Sequence, residues 1–170
     1  MDEVFLGVLG LPVFLWVVLD ERRQVVAWSL SLSRDADSAL YVMKKAVGNA
    51  GFNPDKIITD GLSAYHKAWK KLFWKRSKAL RTTEHIIVKD FRDEINNNLL
   101  ERFNGTIKRA MKAFRGLKAI RFLVSFINSF MYHYNFLRPH TGEGLDNLSP
   151  AEASGSVKGL TDSIGTFFSG

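Results

Sequence analysis

The chain has 170 residues, 46% of them hydrophobic and 24% charged, which excludes a disordered polymer and suits one globular domain with an apolar core. Lys and Arg number 24 against 17 Asp and Glu, a formal net charge of +7, and that surplus points to a polyanionic partner, DNA or RNA before others. Cysteine is absent, and the histidines, at positions 66, 85, 133 and 140, are scattered; disulfides and thiolate metal sites are excluded, and a bound metal is expected to sit on oxygen.

The first element is an uncharged run over residues 4–19. It is short for a membrane span, is preceded by acidic Asp2 and Glu3 rather than by positive charge, and is broken at Gly10-Leu11-Pro12. Two buried strands, Val4–Leu9 and Val13–Leu19, fit it better, and no membrane association is expected. A polar turn, Asp20-Glu21-Arg22-Arg23, leads to a third strand over Gln24–Ser31, completing an antiparallel meander. Ser33 or Asp35 then caps a helix with Ala36, Leu40, Met43 and Val47 at helical spacing, closed by Asn49-Ala50-Gly51.

After a turn at Asn53-Pro54-Asp55, Ile57-Ile58-Thr59 reads as a short strand ending on Asp60-Gly61, parallel to an earlier strand through a crossover. Ser63 opens a second helix with Tyr65, Ala68, Trp69 and Leu72 inward and a basic far end. His85–Val88 is a last short strand, and residues 89–98 a polar connector. Leu100, Phe103, Ile107, Met111 and Phe114 define the apolar face of a third helix. Beyond Gly116, Leu117, Ile120, Val124, Ile127, Met131 and Tyr134 define a fourth, which Asn135 to Pro139 ends. The order predicts an α/β, ribonuclease H-like domain over residues 1–153, with a mixed five-stranded sheet flanked by helices. Residues 154–170, rich in Gly and Ser, read as a weakly ordered tail.

Three carboxylates stand out. Asp60 lies at the C-terminal end of a strand, where open α/β sheets gather ligands, although alone it reads first as a turn or cap residue. Asp2 opens the first strand, and alone is an ordinary terminal residue. Glu101 shares a helix face with Asn97, Asn104 or Gly105, and Lys108, a pattern that suits a metal ligand flanked by phosphate contacts as well as it suits a solvated face. Brought to one end of a sheet, three carboxylates repel one another unless cations lie between them. Mg²⁺ favours such oxygen ligands together with substrate phosphates, and two ions serve in-line phosphoryl transfer.

From Asp2 to about Ala153 the chain resembles the catalytic core of insertion-sequence DDE transposases, relatives of retroviral integrases. The resemblance runs through five ordered segments: the opening Asp-Glu-Val-Phe-Leu-Gly-Val-Leu-Gly; Ser33-Arg34-Asp35-Ala36; Thr59-Asp60-Gly61 with Ala64-Tyr65; Asn98-Leu99-Leu100-Glu101-Arg102-Phe103-Asn104-Gly105-Thr106 with Lys108; and Arg138-Pro139-His140 followed by Leu148-Ser149-Pro150-Ala151-Glu152-Ala153. The resemblance implies a metal-dependent enzyme of DNA cleavage and strand transfer. Asp2, Asp60 and Glu101 are then the catalytic and metal-binding residues, with two Mg²⁺ or Mn²⁺ ions. Asn97, Asn104, Lys108 and Arg109 are the expected DNA-binding residues.

The expected partners are transposon ends and target DNA, with homo-oligomers forming on DNA in a prokaryotic cytoplasm, at the nucleoid. Such transposases carry an upstream helical DNA-binding domain; the catalytic strand here opens at Met1, so that domain is expected to be lacking. The competing expectations are a truncated, inactive transposase that only binds DNA or a full-length partner, and a related RNase H-like nuclease.

Overall fold

The computed structural model describes residues 1–8, 10–75, 82–88, 98–113, 120–141 and 145–155. The elements follow the expected order: β1 (Asp2–Val8), β2 (Leu11–Leu19), β3 (Val25–Ser31), α1 (Ala36–Ala50), β4 (Lys56–Thr59), α2 (Ser63–Phe73), β5 (Glu84–Ile87), α3 (Asn98–Ala113) and α4 (Ile120–Tyr132), then a π-helical turn at His133–Leu137 and a short α5 (Pro150–Ala153). Leu9, Phe114, Gly116, Leu117, Asn97 and most of the connector and tail lie outside the described residues. The chain forms two compact units, residues 1–19 with 26–120 and residues 20–25 with 121–170.

In the first unit β1 and β2 pair antiparallel, from Asp2 opposite Val17 to Val8 opposite Leu11. The reversal is tighter than the sequence suggests, because Leu11 and Pro12 already belong to β2 and Gly10 takes the left-handed turn at φ 76°. Burial alternates along β1, with Val4, Leu6 and Val8 inside and Phe5 outside, as a strand with one covered face requires. In β2, which lies between β1 and β3, Leu15, Trp16 and Val17 are consecutive and fully buried. Helix α1 starts where Asp35 accepts the Ser38 N–H at 2.8 Å and ends at Gly51, φ 77°, both standard terminators. It packs with α2 through Met43, Val42, Ala64 and Tyr65 around Trp16.

Strands β4 and β5 pair in parallel, Lys56 with Glu84 through Thr59 with Ile87. The expected single five-stranded sheet is corrected here: the strands form a three-stranded sheet, β1-β2-β3, and a two-stranded sheet, β4-β5. The reason is the length of contact between β1 and β4. Among the described residues the Met1 nitrogen donates to the Ile58 carbonyl at 2.8 Å beside these strands; one bond does not make a ladder.

In the second unit α4 buries Leu123, Ile127 and Met131, and Tyr134 continues that face into the π-helical turn. Val124, expected inside, is 39% exposed; a step of three from Ile120 lands on Leu123, and a helix face has room for one of the two neighbours. Asn135 is buried, and its side-chain amide accepts the Val25 N–H at 2.8 Å and donates to the Val25 carbonyl at 2.9 Å. Ser149 caps α5 and Glu152 reaches back to the Ser149 N–H, a reciprocal capping box. That end of the chain, seen in the sequence only as a motif, is therefore a short helix.

Candidate active site

Asp2 and Asp60 are placed by strand ends. Asp2 opens β1, and Asp60 follows Thr59, the last residue of β4. Gly61 is obligatory behind it: φ is 91°, and a Cβ would come within 2.8 Å of the Ile87 methyl, so only glycine lets the chain turn there. The Asp60 side chain accepts the Leu62 N–H at 3.0 Å, which fixes its direction at the start of α2. Asp2, Glu3 and Asp60 each offer a carboxylate oxygen, and these oxygens all lie within 4.8 Å of one another.

Asp2 is half-buried. Its two oxygens accept the Glu3 N–H at 2.9 Å and the Asn104 amide at 2.7 Å. Burial nonetheless pushes its carboxyl above the usual range, and the Asp60 charge adds to that. The Glu3 side chain is 5% exposed. One of its oxygens takes the Arg34 guanidinium and the other the Tyr65 hydroxyl. Burial raises the Glu3 carboxyl, against the pull of those two donors, and burial followed by the Glu3 charge drives the Tyr65 phenol up. Tyr65 is itself fully buried, edge-on to Trp16 at 5.6 Å.

Helix α3 meets this cluster through Asn104. Its apolar face buries Leu100, Phe103 and Ile107, and the next face carries Asn104 to Asp2. Glu101 stands one turn earlier, exposed, and outside the group of three mutually close carboxylates. Lys108 and Arg109 are exposed on the same helix, with Arg109 donating to Thr106 at 3.4 Å. Asn97 lies outside the described residues. Asn104, expected on a phosphate, has its amide nitrogen on Asp2, while its carbonyl oxygen is buried without a partner among the described residues.

Sequence reasoning did not single out Glu3, Arg34 or Tyr65. Adjacent strand residues point to opposite faces, so Asp2 and Glu3 did not read as one group. The available signal was that Glu3, Arg34 and Tyr65 each lie in one of the resembling segments, beside the residues that carry the resemblance.

The donor set is carboxylate oxygen throughout, with a raised Asp2 that a nearby cation would relieve; it fits a hard divalent ion and not a soft one. The fold has solved counterparts. A chain in the simian T-cell lymphotropic virus intasome in complex with PP2A regulatory subunit B56 gamma matches with a TM-score of 0.67 at 16% identity, over 92% of this chain and 53% of that one. This chain thus spans about half the length of that viral protein. The HTLV-2 integrase catalytic core domain, solved in complex with magnesium in a trimeric form, matches with a TM-score of 0.63 at 17% identity, over 89% of this chain and 91% of that one. The molecule is thereby an α/β domain of the ribonuclease H-like, integrase-core class. Residues 1–140 match the DDE domain family, and the chain belongs to it. No curated protein matches it in sequence. Among the described residues no helix is long and apolar enough to cross a membrane.

Proposed function

We propose that the chain is a DDE transposase domain that cleaves DNA strands and transfers them to a target in a metal-dependent reaction, with Asp2, Asp60 and Glu101 as its catalytic carboxylates. The observation that carries the reading is the approach of Asp2 and Asp60, from different strands, to within 4.8 Å in a family whose name is its acidic triad. Glu101 joins them on the argument that α3 is tied to Asp2 by Asn104, one turn further along. Two Mg²⁺ ions held by these oxygens would supply activation of the attacking oxygen and charge stabilisation of the leaving one.

The chain's own residues set the geometry. Gly61 and the Leu62 N–H hold Asp60 at the strand end, and Asn104 orients Asp2. Lys108 and Arg109, exposed along α3, would neutralise phosphates and position the duplex without reading its sequence. The partners are transposon ends and target DNA, with self-association on DNA. A prokaryotic cytoplasm, at the nucleoid, is the matching place of work.

The test is nicking of an end-containing DNA substrate by the purified chain. Activity is expected with Mg²⁺ or Mn²⁺ and not with Ca²⁺, whose looser geometry does not support paired placement. Glu101→Gln is expected to remove cleavage and leave the fold intact. Full cleavage by that variant removes Glu101 from the triad, and cleavage without any divalent ion sinks the reading.

A further inference from the structure

We propose that Arg34 is a substrate-positioning residue, set by Glu3 and Tyr65 at the rim of the acidic centre so that its guanidinium takes a phosphate of the DNA strand entering it. The inference rests on the function proposed above and names a contact within that site.

Glu3 is the starting point. A carboxylate this enclosed, beside two others, is costly unless it is paired. Its pairing is complete inside the chain: one oxygen faces Arg34 and the other the Tyr65 hydroxyl. That leaves Glu3 little capacity as a further ligand and gives it a different part, as the anchor of Arg34. Tyr65 locks the anchor, because it is fully buried against Trp16.

Arg34 is the opposite case. Its side chain is 46% exposed although one edge of the guanidinium is pinned. Arginine carries five N–H donors in a rigid plane. The bonds to Glu3 use the Nε and Nη2 edge, and no contact of the remaining donors is found among the described residues. The plane is therefore fixed while its outer edge stays open, the arrangement in which arginine binds phosphate with little loss of freedom. It also stands in the right place. Glu3 lies within 4.8 Å of the carboxylate oxygens of Asp2 and Asp60, and the Asp60 charge is felt at Arg34. A phosphate presented to those carboxylates through cations would bring a neighbouring phosphate or a free oxygen within reach of this cation.

The competing explanation is that Arg34 only neutralises Glu3. Three variants separate the two: Arg34→Ala; Arg34→Lys, which keeps the charge and loses the fork; and Glu3→Gln/Arg34→Ala, which leaves no unpaired buried carboxylate should the first fail to fold. Binding is measured on a duplex end across a salt series. It is then repeated on duplexes in which single phosphates near the cut are replaced by neutral methylphosphonates. A phosphate contact predicts about tenfold weaker binding for Arg34→Ala and for the double variant, with only part of that recovered by Arg34→Lys. The slope of log affinity against log salt is expected to be shallower by about 0.9. One methylphosphonate should weaken the wild type and leave Arg34→Ala and the double variant unmoved.

Unchanged slopes together with additive methylphosphonate effects at every position overturn the proposal. A wild type that neither binds nor cuts DNA overturns the function proposed above as well. A wild type that does both, beside variants that behave identically, overturns this inference alone.

Discussion

Asn135, in the second unit, is buried and exchanges two hydrogen bonds with the backbone of Val25. Ser149 and Glu152 close a capping box in the same unit, and hydrogen bonds from Ser149 hold the Glu152 carboxyl below the usual range. At the strand ends of the first unit, Asp2 and Glu3 have hydrogen-bond partners too, yet burial pushes both carboxyls up. In the second unit these polar groups are satisfied within the chain. The first gathers negative charge that the chain does not fully offset, a cost that makes sense where an external cation completes the site.

The largest expected effect tests the first half of that contrast. Asp60→Asn is expected to reduce strand cleavage to the metal-free background, measured by nicking, with DNA affinity nearly intact. Asp2→Asn is expected to do the same while holding or raising the melting temperature, because the neutral side chain no longer carries a charge that burial disfavours. A melting temperature several degrees lower in both variants would make the cluster structural and erase the contrast.

Next in size is Asn135→Ala. It leaves a buried N–H and a buried carbonyl of Val25 unpaired, so a loss of about 2–4 kcal/mol is expected in urea unfolding. Ser149→Ala removes the cap of α5 and is expected to cost about 1 kcal/mol. Neither variant is expected to alter metal-dependent nicking. A selective loss of nicking at unchanged stability would show that the second unit also serves the reaction.

The sequence spoke most clearly where the cause of structure is local. Asp35 and Gly51 announced the ends of α1, and the apolar spacing of α3 announced its buried face. Asp60-Gly61 was legible for the same reason, since a glycine after a strand-end aspartate is a local backbone demand. What stayed hidden depends on contacts across the chain. Arg34 and Tyr65 lie 31 and 62 positions from Glu3, and no periodicity connects them. The π-helical turn at His133–Leu137 was hidden because its hydrogen bonds differ from those of α4 by a single residue of register. The division of the strands into two sheets depends on how far β1 runs beside β4, which a strand pattern does not encode.

The smallest expected effect concerns His140, read in the sequence as one of the scattered histidines and as part of Arg-Pro-His. The residue is 9% exposed, its ring is edge-on to Tyr134 at 4.8 Å, and its Nε2 has no partner among the described residues. Burial first, and then the Arg138 and Arg23 charges, lower its pKa below the ordinary 6.5, against a bond to the Tyr134 carbonyl that acts the other way. The folded chain therefore keeps this ring neutral at a pH where the unfolded chain has begun to take up a proton. The unfolded state binds more protons in that interval, so stability falls with falling pH. The contribution is whole above about pH 6.5, is lost as the pH drops from there through the folded pKa, and does not change further below it. His140→Gln removes the titrating group. Melting temperatures of the two proteins from pH 8 to pH 5 are expected to converge as the pH drops, the wild type losing more, since His85 and the carboxylates are common to both and cancel in the difference. A constant gap between the two curves would mean that His140 titrates alike in both states, and that its enclosure beside Tyr134 does nothing to hold it neutral.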